Sequence, residues 1–187
     1  MVSAPRVGVL ALQGDFEAHG RVLRGLGAEV RDVRVPRDLE DVDGLVLPGG
    51  ESTTMTLGIE REGLAGPLRE LVRWGTPVLG TCAGMIMLDR EHLGLADYTC
   101  RRNAFGRQIR SFEADLEIPG IVGEPVRAVF IRAPWIDEHG DAVEVLAEVD
   151  GHVVAARQEN MLVISFHPEL AGETRLHQLF LEDVARG

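Results

Sequence analysis

No lysine occurs anywhere in the 187 residues, and all 19 basic side chains are arginine. A guanidinium keeps its charge and cannot serve as the imine-forming amine, so side-chain Schiff-base chemistry is excluded. Cysteine is scarce too: Cys82 and Cys100 are the only two, far short of a disulfide framework. A reducing cytosol would oppose their pairing, so Cys100 reads as a core or idle thiol. No apolar run approaches the roughly 20 residues needed to cross a bilayer, and Met1-Val2-Ser3-Ala4-Pro5 has no secretory pattern. The expectation is a cytoplasmic chain with no membrane partner. Positive charge is also short, the formal net charge being -11. Only Arg101, Arg102, Arg107 and Arg110 cluster, which argues against a nucleic-acid partner, whose binding needs many clustered cations. His19, His92, His139, His152 and His177 show no paired ligand spacing, so they read as surface or satisfied histidines, with no metal and no organic cofactor implied.

What is present is the texture of an α/β protein, with no Pro- or Ser-rich linker to divide it, so residues 1–187 are expected to form a single domain. Val7 to Leu12 is a near-continuous apolar run, as in a strand covered on both faces. Gln13-Gly14-Asp15 makes a turn, and Phe16, His19, Val22, Leu23 and Leu26 recur at helical spacing until Gly27. Strands follow at Glu29 to Val33 and Gly44 to Leu47. Gly49-Gly50-Glu51-Ser52-Thr53-Thr54 then offers small hydroxyls as helix caps. Leu64 to Trp74 reads as a helix and Pro77 to Thr81 as a strand. This alternation predicts a three-layer fold, a mostly parallel sheet flanked by helices. From Arg101 onward come strands at Phe112 to Ile118, Val126 to Ile131, Val143 to Val149 and His152 to Arg157, some of them expected to be antiparallel and to extend the sheet edge. Leu176, Leu179, Phe180 and Val184 form the buried stripe of a last helix.

Two short segments carry chemistry. Gly80-Thr81-Cys82-Ala83-Gly84 lies between the apolar runs Pro77-Val78-Leu79 and Met85-Ile86-Met87-Leu88, placing Cys82 where a strand ends and a helix begins. Glycines two residues either side permit the sharp turn of a nucleophile elbow, and the helix N-terminus favours a thiolate. Ser165-Phe166-His167-Pro168-Glu169 closes the apolar strand that starts at Met161. Residues two apart on an extended segment point the same way, so His167 and Glu169 are expected together, His167 as base for Cys82 and Glu169 as the carboxylate orienting it. In open α/β sheets ligands bind at the carboxyl ends of strands, so the turns after Leu12, Leu47, Leu79 and Phe166 converge on one pocket. There the Gly49-Gly50 turn can set a backbone N–H, at Gly50, opposite that of Ala83 as an oxyanion hole.

Together these segments resemble class I, triad-type glutamine amidotransferases. The runs Leu10-Ala11-Leu12-Gln13-Gly14, Leu47 to Met55, Arg102 to Gln108, Phe130 to Pro134 and Ser165 to Leu170 resemble, more closely, the PdxT-type glutaminase subunits of pyridoxal 5′-phosphate synthase. The resemblance spans about Val7 to Phe180. It implies a flavodoxin-like amidotransferase fold, Cys82, His167 and Glu169 as the triad, and Gly50, Glu51, Ser52, Arg102, Ile131 and Arg132 as glutamine-binding positions. It further implies hydrolysis of L-glutamine through a thioester, and passage of ammonia to a synthase subunit within a large hetero-oligomer. Lack of lysine fits that division, since imine chemistry then resides on the partner. An arginine suits the substrate carboxylate, and Glu51 or a backbone carbonyl suits its ammonium. The stretch from Arg90 to Leu95 is shorter than in many relatives. A flexible Gly49-Gly50 peptide predicts low activity alone and activation when the synthase docks near Gln13.

Three other readings compete. A glutaminase serving another synthase is disfavoured by the Arg102 to Gln108 and Phe130 to Pro134 runs. A cysteine hydrolase of similar architecture would not be expected to end in His-Pro-Glu. A regulatory module with a vestigial site is disfavoured by an intact triad.

Overall fold

The computed structural model describes residues 3–106 and 111–187; Arg107, Gln108 and Arg110 lie outside them. In chain order the elements are β1 (Arg6–Leu10), α1 (Phe16–Gly25), β2 (Glu29–Val33), β3 (Gly44–Leu47), α2 (Ser52–Arg61), α3 (Ala65–Arg73), β4 (Val78–Thr81) and α4 (Ala83–Leu88). They continue with β5 (Tyr98–Arg101), β6 (Ser111–Leu116), β7 (Val126–Ile131), β8 (Trp135–His139), β9 (Glu144–Val149), β10 (His152–Gln158), β11 (Met161–Ile164) and α5 (Arg175–Arg186).

Nine strands form one sheet in the order β2-β1-β3-β4-β11-β10-β8-β5, with β9 also paired to β10. From β2 through β11 the pairing is parallel. Beyond β11 it is antiparallel. Period-2 alternation assigns each central residue to a face. Leu10, Leu45, Leu47, Val78, Met161 and Val163 pack with Met55, Ile59, Leu68 and Met85 from α2, α3 and α4. Val7, Val9, Val46, Leu79, Leu162 and Ile164 pack with Leu23, Leu176 and Phe180 from α1 and α5. A sheet buried on both faces explains why its strands read as unbroken apolar runs.

The later strands divide between the sheet edge, as expected, and a separate hairpin. β9 and β10 extend the main sheet, but β6 and β7 pair only with each other as a separate two-stranded sheet. Their inward residues Leu116, Val126, Ala128 and Phe130 share the second core with Phe166 and Phe180, so the hairpin covers a sheet face instead of lengthening an edge. β5 and β8 supply the outer edge, and both escaped the sequence reading because each is only a few residues long with mixed polarity. β1 also ends at Leu10, although Ala11 N–H still donates to Val33 O at 2.8 Å.

The order β2-β1-β3 reverses direction of travel between β1 and β3, which opens a crevice at their carboxyl ends. The turns after β1 and β3 fill that crevice. Asp15 N–H donates to Gly49 O at 3.1 Å, and Glu51 N–H donates to the Gln13 side-chain oxygen at 2.8 Å. A Cβ on Gly14 would lie 1.9 Å from Gly49 O, so only glycine permits this approach.

Candidate active site

Cys82 caps the N-terminus of α4 with φ 51° and ψ -108°, a conformation that costs an L-residue about 1–3 kcal/mol and is held by its surroundings. Those surroundings are visible: Cys82 N–H donates to Ile164 O at 2.8 Å, and Cys82 O accepts from Met85 N–H at 3.1 Å. The flanking glycines have a different task from the one expected. The left-handed turn falls on Cys82 itself, while a Cβ on Gly84 would meet Leu47 O at 1.8 Å and one on Gly80 would meet Gly84 O at 3.0 Å. Glycine here lets α4 press against β3 and β4, and that pressure fixes the thiol.

His167 and Glu169 meet, but by another geometry than a continued strand. β11 stops at Ile164, and Pro168 opens a 3₁₀ turn over Pro168–Leu170. The fixed φ of proline suits the first position of such a turn. His167 N–H is anchored to Val129 O at 2.9 Å, and Nδ1 lies 2.7 Å from Glu169 Oε1. Asp15 Oδ2 approaches the same nitrogen at 3.3 Å. Burial of the ring works against its charge, yet hydrogen bonds with Asp15, Cys82 and Glu169 outweigh it and push His167 up to about 12. With Nδ1 committed to carboxylates, Nε2 is the nitrogen left to face the Cys82 thiol.

Glu169 sits behind His167 with its side chain fully buried. Its Oε2 has no hydrogen bond, and His19 Nε2 stands 3.5 Å away. His19 is itself fully buried and touches Thr81 Oγ1 at 3.1 Å and His177 Nε2 at 2.8 Å.

In front of Cys82 opens a cavity of about 420 Å³, within the range of small-molecule sites. It is lined by Gly50, Glu51, Ser52, Ala83, Arg102, Ile131 and Arg132, together with Cys82, His167, Asp15 and Leu170. Each expected binding position therefore reaches one cavity, from β3–α2, β5 and β7–β8. The cap of α2 differs from expectation. The Glu51 carboxylate, not a small hydroxyl, accepts from Thr53 and Thr54 N–H at 3.0 and 2.7 Å. The Thr54 amide and hydroxyl, with the Thr53 amide, hold its pKa down to about 2. Arg102 donates to Glu51 Oε1 at 3.2 Å, so two of the three charged binding candidates are paired with each other at the cavity wall.

Ala83 is the first residue of α4, so its N–H has no partner within the helix and borders the cavity beside Cys82. Cys100 is half-buried and unbonded to Cys82, and burial pushes its thiol up, away from reactivity. His92 pairs with buried Asp89 at 2.7 Å, and His152 stacks on Trp135 at 3.5 Å between centroids. Those two fit the expectation of surface or satisfied histidines, as does His19 with partners on both ring nitrogens; His177, whose buried Nδ1 has none, does not. Asp15 and His19 went unassigned, although His19 stood in the apolar stripe of α1, one turn after Asp15.

Comparison with known proteins decides the class. The model of the SNO glutamine amidotransferase family matches residues 9–186. The chain belongs to that family. A relative from Streptomyces coelicolor named pyridoxal 5′-phosphate synthase subunit PdxT is 54% identical, covering 98% of this chain and 96% of that one. One of the same name from Rhodococcus opacus is 50% identical over the full length of both. A solved structure described as a glutamine amidotransferase superposes with TM-score 0.89 at 44% identity, covering 96% of this chain and 98% of that one. PurLQS from Thermotoga maritima, at 18% identity and TM-score 0.74, shares the fold and covers 99% of each chain. The architecture is thus the glutamine amidotransferase fold of its family. Among the described residues no helix is long and apolar enough to cross a membrane.

Proposed function

We propose that Cys82, His167 and Glu169 form the triad of a glutaminase that hydrolyses L-glutamine to L-glutamate and ammonia, acting as one unit over residues 1–187. The observation that carries this is His167, held by Glu169 on Nδ1 and lining the same cavity as the Cys82 thiol. The thiol proton moves to His167, and sulfur attacks the side-chain amide carbon of glutamine. The N–H groups of Gly50 and Ala83 take the oxyanion, a single such donor being worth about 10²–10³ in rate. Imidazolium returns its proton to the departing nitrogen as the C–N bond breaks, leaving ammonia and a γ-glutamyl thioester. Water, deprotonated by His167, then cleaves the thioester. An imidazole pushed so far up suits the acid half of this cycle, because it does not lose its proton before the C–N bond breaks.

Gly50, Glu51, Ser52, Arg102, Ile131 and Arg132 hold the substrate. The Glu51–Arg102 pair presents opposite charges at one wall, which matches the zwitterionic end of an amino acid. The ammonia passes to a synthase subunit that builds pyridoxal 5′-phosphate, as the names of the PdxT relatives support, in a cytoplasmic hetero-oligomer without nucleic acid. Docking of that subunit near Gln13 completes the oxyanion loop and raises turnover. Glutamate release from L-glutamine by the purified chain, alone and with a cognate synthase subunit, tests the whole reading. Turnover lost in Cys82→Ala and raised by the partner is expected. Full activity in Cys82→Ala overturns the triad, and equal turnover with and without partner overturns the coupling.

A further inference from the structure

The geometry points to His19 as a positioning residue that donates from Nε2 to the second oxygen of Glu169, extending the triad into a buried chain that ends at His177. This rests on the triad reading above. Glu169 Oε1 is engaged by His167, whereas Oε2 is buried and lacks a hydrogen bond within ordinary limits. The polar hydrogen nearest to it depends on which nitrogen of His19 is protonated.

Two arrangements exist for the pair. Burial, together with the His177 and His167 rings, pushes His19 well below its usual range. Burial likewise lowers His177 to about 4 despite Glu173 nearby, so both rings are neutral and each carries one proton. The 2.8 Å contact between His19 Nδ1 and His177 Nε2 holds one hydrogen. If it belongs to His19, then His19 Nε2 is bare and turns its lone pair towards the Glu169 carboxylate. His177 must then carry its proton on Nδ1, a buried atom with no partner. If it belongs to His177, the orphan Nδ1 is only a bare acceptor, and His19 Nε2–H has Thr81 Oγ1 at 3.1 Å and, beside it, Glu169 Oε2 at 3.5 Å. The second arrangement leaves no buried donor unmade and no lone pairs opposed, and unmade buried donors are the costlier fault. Donation then runs from His177 to His19 and from His19 to Glu169, whose other oxygen accepts from His167 Nδ1–H. The carboxylate is then held at both oxygens, and α1, α5 and β4 all bear on the orientation of the imidazole.

Nitrogen-15 NMR of histidine-labelled, unsubstituted protein reads this directly. His19 with a bare Nδ1 and protonated Nε2 is expected; the reverse tautomer overturns the proposal, whatever any variant does. Kinetics supply the functional arm. His19→Asn sets an amide near the Nδ1 position and abandons Glu169, while His19→Gln reaches the Nε2 position. Partner-activated kcat is expected to fall roughly ten- to hundredfold in His19→Asn, by analogy with outer-shell groups that orient a metal-bound histidine. KM should stay unchanged because His19 does not line the cavity, and His19→Gln should recover most of the lost rate. Losses in both variants that merely track the folded fraction, with an unaltered pH profile, would make His19 a packing residue. Activity persisting in Cys82→Ala would sink the triad reading but leave the tautomer result standing.

Discussion

Asp15→Asn isolates the group at the site that the sequence reading left unassigned. Its Oδ2 lies 3.3 Å from His167 Nδ1, a separation at which opposite charges attract by about 5 kcal/mol at an effective dielectric of 20. Asp15 is one-third exposed at its side chain, so solvent screens much of that. A fall of about 1–2 units in His167, or roughly 1.4–2.7 kcal/mol, is the realistic share for one carboxylate among three hydrogen-bond partners. Asparagine keeps the oxygen and the shape, and Glu169 keeps the ring in place. Because the folded-state pKa of His167 is raised to about 12, its contribution to stability is complete below its ordinary value near 6.5 and vanishes as pH rises through 12. The stability difference between wild type and Asp15→Asn is therefore constant from pH 6 to about 10, and closes between there and 12. Urea unfolding across that range, with NMR titration of His167, measures both quantities. An unmoved His167 titration with no stability difference at pH 6 would refute the electrostatic role of Asp15.

Gly84→Ala would drive a Cβ to 1.8 Å from Leu47 O, so α4 must lift off β3; a loss above about 3 kcal/mol is expected by chemical denaturation. Gly25→Ala, at the end of α1 with nothing within 4 Å of the added carbon, should instead stabilise by about 0.4–1 kcal/mol. Glu51→Ala removes the cap of α2 and should cost about 0.5–2 kcal/mol near neutral pH. Since Glu51 is held down to about 2, its contribution is present above its ordinary value and lost as pH falls through 2. Unfolding at pH 7 and pH 3 should therefore show the difference shrinking on acidification.

What could be seen in the sequence was whatever depends on neighbours along the chain. The apolar runs of β1, β3, β4 and β11 announced a sheet covered on both faces, and the elbow glycines marked the strand-to-helix junction at Cys82. The strand-end rule brought Gly50, Cys82 and His167 to one cavity, as it does here. Three things depended on distant partners and stayed hidden. The β6–β7 hairpin alternates like an edge strand pair, and only the apolar surface of Phe166 and Phe180 beneath it decides that it packs on a face. Glu51 as a cap is invisible while Ser52 and Thr53 compete for the position. His19 and His177 are 158 residues apart, and each alone looks like an ordinary helix histidine.

The last prediction concerns the loop that bears Gly50. Gln13 is its clamp: the side-chain oxygen accepts Glu51 N–H at 2.8 Å, and a Cβ on Gly50 would lie 2.2 Å from that same oxygen. A second tie, Asp15 N–H to Gly49 O at 3.1 Å, is backbone only and survives any substitution at residue 13. The Gly49–Gly50–Glu51 segment is thus fixed at its two ends, one of them by the Gln13 side chain. If the clamp holds the loop in its resting form, Gln13→Ala removes a hydrogen bond worth about 0.5–1.5 kcal/mol net. That shifts the loop population by about two- to tenfold. Turnover without the partner should rise by that factor, and the activation conferred by the synthase should shrink correspondingly. Partner-free turnover that falls in Gln13→Ala would mean the clamped loop is already the working form, and activation would then have to act on another part of the site.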